Sequence, residues 1–308
     1  MTLFTPSEIV AKLERGESLA KAELSKVDLE GKKLDKGDFQ QAYLRRANFT
    51  KASCQEANFS EATLILANFN QASLIAANFN EATLTNADFT GAIVRNATAK
   101  SANFYGAILD NIAANNAIFE RADFREAKGK EANFSNGELK LANLSMSNFP
   151  QANFSGANLR KARFEGANLP GTVWCEANLE ASTFINASLT EADLTQANLI
   201  AANLRETNLR SIVLQQAELS EAMLQGATLT QVNLTGASLF EAKLERAILS
   251  QINFKGANLQ NANFENTVLA EVDFTDAEVR EAIFTDTKGL TAGQKEYLKK
   301  NGAVNVPD

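Results

Sequence analysis

Leucine and phenylalanine recur at every fifth residue over most of the chain. The series starts at Leu24 and continues through Leu29, Leu34, Phe39, Leu44 and Phe49 to Phe284, and 46 of its 53 positions are Leu or Phe. Two residues before most centres stands a small side chain; from Ala22 to Ala282, 39 of 53 such positions are Ala, and most of the rest are Gly, Ser, Thr or Val. The residue between the two is rich in Asn and Asp, as in Asn48, Asn58, Asn68, Asn78 and Asp88. No insertion breaks the register. An α-helix cannot use this period, because a five-residue step turns the apolar residue by about 140° and spreads it around the whole cylinder. A continuous strand cannot use it either, because an odd step flips alternate centres to opposite faces. The remaining solution is a short extended piece that points one small and one large side chain inward, followed by a corner. The chain then winds about an axis, and each coil buries its core and pairs its backbone by stacking on the next. The fold class expected is all-β.

Segments such as Ala67-Asn68-Phe69-Asn70-Gln71 and Ala197-Asn198-Leu199-Ile200-Ala201 resemble the A(D/N)LXX motif of the pentapeptide-repeat family, and the resemblance covers about 265 of the 308 residues. It implies a right-handed quadrilateral parallel β-helix, a solenoid with four pentapeptides per coil and about 13 coils. At about 4.8 Å per coil, the strand spacing, such a rod is roughly 60 Å long. The expected organisation is a capping helix over residues 1–17, the β-helix over 18–288, and a helix with a tail over 289–308.

The ends carry their own signals. An open solenoid end exposes core and unpaired backbone, so it needs a lid. Thr5-Pro6-Ser7-Glu8 reads as a capping box with Pro at the first helical position; Ile9, Val10 and Leu13 give one apolar face, and Gly16 stops the helix. Thr291 and Gln294 form a second box, with a short helix through Tyr297 and Leu298 to about Lys300 and Gly302 after it. Both helices read as lids; the resemblance adds a dimer contact through the C-terminal end as the alternative.

With the four-repeat coil that the resemblance implies, the face through Leu24, Leu44 and Leu64 collects the corner residues Arg45, Arg46, Ile65, Leu66, Tyr105, Arg125, Met146, Ile185 and Arg205. Apolar side chains exposed beside Arg make this the candidate interaction face; the alternative is scattered surface hydrophobes. Glu61 and Glu81 occupy equivalent corners one coil apart, as do Glu221 and Glu241, and could hold a cation or share a proton or simply be solvated. The centres weaken at Val94, Ala99, Ala114 and Gly129, which would leave a gap, bend the coil or be offset by neighbours such as Ile112. Lys128-Gly129-Lys130 is expected to bulge outward. Trp174 reads as core filler, Cys54 as a buried inert thiol and Cys175 as a more exposed one. The Asn residues before the centres are expected to stack in amide ladders.

Composition narrows the chemistry. Histidine is absent, which removes the commonest general base and metal ligand. No Gly-rich phosphate loop occurs, and the two cysteines have no metal-type spacing. No cofactor is expected, and the chain does not read as an enzyme. The net charge of −7 disfavours direct nucleic-acid binding, which needs Lys and Arg clusters. Neither a secretory signal nor a membrane span is read in the sequence, so the cytosol is the expected compartment. The leading reading is a non-enzymatic protein-interaction scaffold with an unknown protein partner, as a monomer or a dimer. The resemblance supplies the alternative, a DNA mimic that binds a type II topoisomerase (gyrase), as quinolone-resistance members of the family do. Acidic residues interleaved with Lys and Arg temper that alternative. Long uninterrupted repeats and the Gly-Leu-Thr-Ala-x-Gln-x-x-Tyr-Leu tail resemble bacterial, especially cyanobacterial, members.

Overall fold

The computed structural model describes residues 4–308. They divide into two compact units, one ending at Asn158 and the other running from Leu159 to Asp308. The same local rule builds both. The centre residue donates its N–H to the following coil, as Leu24 does to the Tyr43 carbonyl at 2.8 Å. The residue two further on does the same, Lys26 to Arg45 at 2.8 Å, and the carbonyl at the small position accepts in return, Ala22 from Tyr43 at 3.0 Å. Every isolated bridge between the repeats is parallel and joins one repeat to the fourth repeat after it, as in Asp28↔Asn48 and Asn178↔Asn198. Four five-residue sides therefore close one coil, and the chain is a parallel β-solenoid.

The corner has its own chemistry. The centre carbonyl accepts from the N–H three residues on, as Leu44 does from Ala47 at 3.0 Å. Every fifth residue from Lys21 to Asp286 has a positive φ, between 52° and 67°. Most of these residues are not glycine, and each left-handed L-residue costs about 1 kcal/mol. The N–H that such a residue donates to the next coil helps to offset that cost. The side chain before the centre handles the remaining donor. Asn48 Oδ1 accepts from the Thr50 N–H at 3.0 Å, and Asn58 and Asn78 do the same for Ser60 and Asn80. This is an Asx turn, and it explains why Asn and Asp dominate the position. The expected amide ladder forms only in part: Asn58 Nδ2 reaches Asp38 at 3.0 Å and Asn78 Nδ2 reaches Asn58 at 3.1 Å. Pro150 and Pro170 take the place of the residue whose N–H would need that cap, and their fixed φ suits it.

In the first unit the inward Phe rings form columns. Phe39, Phe59 and Phe79 stack at 5.0 and 5.1 Å, while Phe49, Phe69 and Phe89 stack at 4.7 and 4.8 Å. Rings of the two columns meet edge to face, as Phe49 and Phe59 do at 5.5 Å. The weak centres leave an apolar void of about 10 Å³ lined by Val94, Ala99, Phe104 and Ile112, no more than one water's room. Gly129 differs from expectation. Lys128 stays in the ladder, bridged to Ile108 and Asn148, and the Gly129 N–H bonds to the Asn148 carbonyl at 2.9 Å, so nothing bulges. The space of the missing side chain is filled from the next coil, because a Cβ on Gly129 would fall within the Phe149 ring. Helix α1 (Pro6–Glu14) starts at the Thr5–Glu8 capping box, buries Ile9 and is followed by Gly16 at φ 72°. Leu13 packs close to Gly37, where a Cβ would lie 3.0 Å from its methyl group.

In the second unit Trp174 is fully buried between Phe164 and Phe184, edge-on to both at 5.3 and 6.0 Å. Its indole N–H bonds to Thr172 Oγ1 at 2.7 Å, so the polar exception at a small position serves the aromatic exception at the next centre. One side becomes a regular four-stranded parallel sheet of β1 (Asn208–Arg210), β2 (Thr228–Asn233), β3 (Ile248–Asn253) and β4 (Val268–Asp273). There the small positions hold Val232, Ile252 and Val272, and the ladder runs through the corner. Helix α2 (Ala292–Lys300) begins at the Thr291–Gln294 capping box and buries Leu298. It supplies donors that a further coil would have given: Gln294 Nε2 bonds to the Val272 carbonyl at 2.6 Å and Tyr297 Oη to that of Ala277 at 2.9 Å. The Val304 N–H reaches the Ala282 carbonyl at 2.9 Å.

Candidate interaction face

The coil register fixes where the candidate residues stand. In the first unit Arg45, Ile65, Tyr105 and Arg125 share one column just after the centre, and Arg46, Leu66 and Met146 share the adjoining column of left-handed residues. Two clusters result. Arg45 and Arg46 lie one coil from Ile65 and Leu66, about 4.8 Å away along the axis. Leu66 is 39% exposed. Neither arginine makes an ion pair among the described residues. Thr85 and Asn86 separate this cluster from the next.

The second cluster is internally satisfied. Arg125 pairs with Asp123 at 2.7 Å and lies over the Tyr105 ring at 5.8 Å. The hydrogen bond to Glu126 pushes the Tyr105 phenol above its ordinary range. Burial raises the Asp123 pKa, but the Arg125 hydrogen bonds outweigh it and leave the carboxyl below its usual value. Met146, one coil beyond, is 68% exposed. Ile185 and Arg205 belong to the second unit, one coil apart; Ile185 is half-buried and Arg205 Nε bonds to Asn203 at 3.0 Å.

Sequence reasoning missed several exposed apolar residues, and three of them are the most exposed. Tyr43 is 48% exposed, one bridge position before Leu44, and joins the first cluster. Ile248 and Val268, 50% and 45% exposed, are paired neighbours on the outer side of β3 and β4. All three stand where Asn, Asp, Ser or Thr is the rule, and that departure was the available signal.

The acidic corners offer less. Glu61 accepts from Gln41 Nε2 at 2.7 Å and from Gln40 Nε2 at 3.4 Å, so amides hold it from the coil below. Among the described residues no group of three or more potential metal ligands gathers, and no helix is long and apolar enough to cross a membrane. Cys54 is buried and Cys175 half-exposed; burial is the first cause that raises both thiols above their ordinary range.

The repeat register, the Asx corners and the inward Phe and Leu columns meet a matching family. Pentapeptide repeats, in 8 copies, match residues 22–64, 52–91, 77–112, 107–145, 138–173 and 247–286, and the family described as a pentapeptide repeat region matches 177–254. The chain belongs to the pentapeptide-repeat family. Its fold is therefore the right-handed quadrilateral β-helix. Similar pentapeptide-repeat structures include HetL of the cyanobacterium Nostoc sp. strain PCC 7120, a protein involved in heterocyst differentiation regulation. HetL is 22% identical over 94% of this chain and 100% of its own, with a TM-score of 0.32. QnrB1, a plasmid-mediated fluoroquinolone resistance protein, is 22% identical over 71% of this chain and 91% of its own, with a TM-score of 0.29. A pentapeptide-repeat protein of the Arabidopsis thaliana thylakoid lumen is 26% identical over 52% of this chain and 74% of its own, with a TM-score of 0.18. Among curated proteins none matches this pentapeptide-repeat chain.

Proposed function

We propose that this pentapeptide-repeat protein is a non-catalytic protein-interaction scaffold, and that its contact surface is the corner formed by Tyr43, Arg45, Arg46, Ile65 and Leu66. The observation that carries the reading is an exposed Tyr and Leu beside two arginines that make no ion pair among the described residues. Aromatic and Arg side chains of this kind dominate interface energies. Lys26, one coil below Arg46, extends the positive patch, so the partner surface is acidic with an apolar centre. Met146 forms a further contact only for a partner that spans more coils of the first unit, Ile185 and Arg205 stand in the second unit, and Tyr105 and Arg125 are tied into their own network. The proposed compartment is the cytosol, and the proposed state is a monomer or a dimer through the C-terminal end.

The test is affinity capture with the wild-type chain and with the double variant Arg46→Glu/Leu66→Glu. Both residues are exposed, so the variant keeps its stability to within about 0.5 kcal/mol. A partner retained by wild type and lost by the variant supports the reading. Identical recovery by both removes this corner from it.

The net charge of −7 favours a second reading, a DNA mimic that binds a type II topoisomerase. The positive corner opposes it. A gyrase supercoiling assay with and without quinolone decides: no inhibition and no protection removes the mimic.

A further inference from the structure

A single glycine opens a notch in the surface of the second unit. At the left-handed corner position, successive coils carry Glu206, Gly226, Arg246 and Asn266, so the column of long side chains is interrupted at Gly226. A Cβ there would meet only the Glu206 side chain, at 3.6 Å. The hollow measures about 350 Å³ and is also lined by Arg205, Gln225, Glu245 and Glu265.

Two oxygens of its lining residues stand unpartnered behind that surface. Gln225 Oε1 and Glu245 Oε2 are closed to solvent and, among the described residues, have no hydrogen-bond partner. The other Glu245 oxygen is taken, accepting from Asn263 Nδ2 at 3.0 Å. Gln225 and Glu245 occupy the same corner position of successive coils, so the two unpartnered acceptors stand in neighbouring coils. A buried acceptor left unmade forfeits its hydration without compensation. Around them Glu265 and Arg246 make no ion pair among the described residues, and Arg205 is engaged through Nε with Asn203. Unpartnered acceptors and the Arg205 and Arg246 guanidinium groups within one lining suit a dipolar guest.

We propose that this notch binds a basic amino acid, free or as the last residue of a peptide. Its guanidinium or ammonium supplies the donors that Gln225 and Glu245 lack, beside Glu265, while its carboxylate meets Arg205 and Arg246. Gln225 and Glu245 turn their terminal oxygens toward the guest by side-chain rotation, and the backbone ladder is unchanged. Glycine is required because any side chain at this corner would grow into the space. The φ of +67° at Gly226 is one that Asn adopts at the same corner in the next-but-one coil, Asn266 at 58°. Gly226→Asn therefore fills the notch without straining the turn.

The experiment is a titration of the full chain, followed by the side-chain amide signals of Gln225 and Asn263 in nitrogen-15 NMR. The probes are L-arginine, agmatine (which lacks the carboxylate) and a short neutral peptide ending in Arg. Saturable shifts with L-arginine are expected, at least tenfold weaker with agmatine, and absent in Gly226→Asn, whose melting temperature is unchanged. The ratio of peptide to free-arginine affinity tells a peptide terminus from a free amino acid. No saturable shift with either arginine probe overturns the proposal, as do shifts that survive in Gly226→Asn or an equal response to agmatine.

Discussion

Gly129→Leu separates the repeat rule from the structure. By the rule it restores a Leu to a series in which 46 of 53 centres are Leu or Phe, and it should stabilise. By the structure it destabilises, because the volume it needs is held by the Phe149 ring of the next coil. Forcing a side chain into a filled core costs about 1–3 kcal/mol. Phe149→Ala alone costs about 3–5 kcal/mol, since a fully buried ring is removed and the empty Gly129 offers nothing to collapse into the hole. The double variant Gly129→Leu/Phe149→Ala returns volume to the same space, so its loss is smaller than the sum of the singles by about 1–3 kcal/mol. Urea denaturation of the four proteins, compared through their midpoints at constant slope, measures this cycle. A Gly129→Leu protein more stable than wild type, or a double variant that is strictly additive, would refute the reasoning.

Thr172→Ala likewise moves toward the repeat rule yet should cost about 0.5–1.5 kcal/mol in a urea melt, because it removes the hydrogen bond that the buried Trp174 N–H donates to Thr172. Hydrogen bonds from Arg15 and Lys12 lower the Glu17 carboxyl to about 2. A lowered folded-state value means that the clasp is fully present above the ordinary 4.5 and is lost as pH falls through about 2, which a carbon-13 carboxyl titration of Glu17 would show; a midpoint near 4.5 would refute it. Iodoacetamide at pH 8 should label Cys175 slowly and Cys54 not at all in the folded chain, checked by peptide mass spectrometry.

The five-residue period, the inward centres and both capping boxes were legible because each is a local pattern repeated or placed beside a breaker. Trp174 was legible as core filler, yet its dependence on Thr172 was not, since a Thr in an Ala column reads as tolerated variation until the indole N–H is seen. Gly129 misled for a different reason. Its compensation comes from Phe149, a full coil later in the chain, and at its own position Phe149 looks like an ordinary centre. The Asn-rich position was read as a stacking ladder, although the nearer partner was the N–H two residues on. Of the candidate face, the Arg45–Leu66 corner was legible from its residue types. Arg125 looked equally promising, and only the Asp123 and Glu126 contacts remove it.

Because each repeat of the first unit bridges to the fourth repeat after it, that unit has a natural quantum of length. Excising one full quantum from the middle of the first unit, residues 70–89 for instance, leaves every surviving side chain above the cut over the column it occupied before. Excising a single pentapeptide instead rotates the part of the first unit beyond the cut by a quarter turn, and carries the Tyr105–Arg125 cluster to a different side from Tyr43 and Leu66. Surface sites on such a chain can thus be spaced closer or farther at constant azimuth by whole coils, or swung around the axis by single repeats, while the interior is asked only to accept another Leu or Phe.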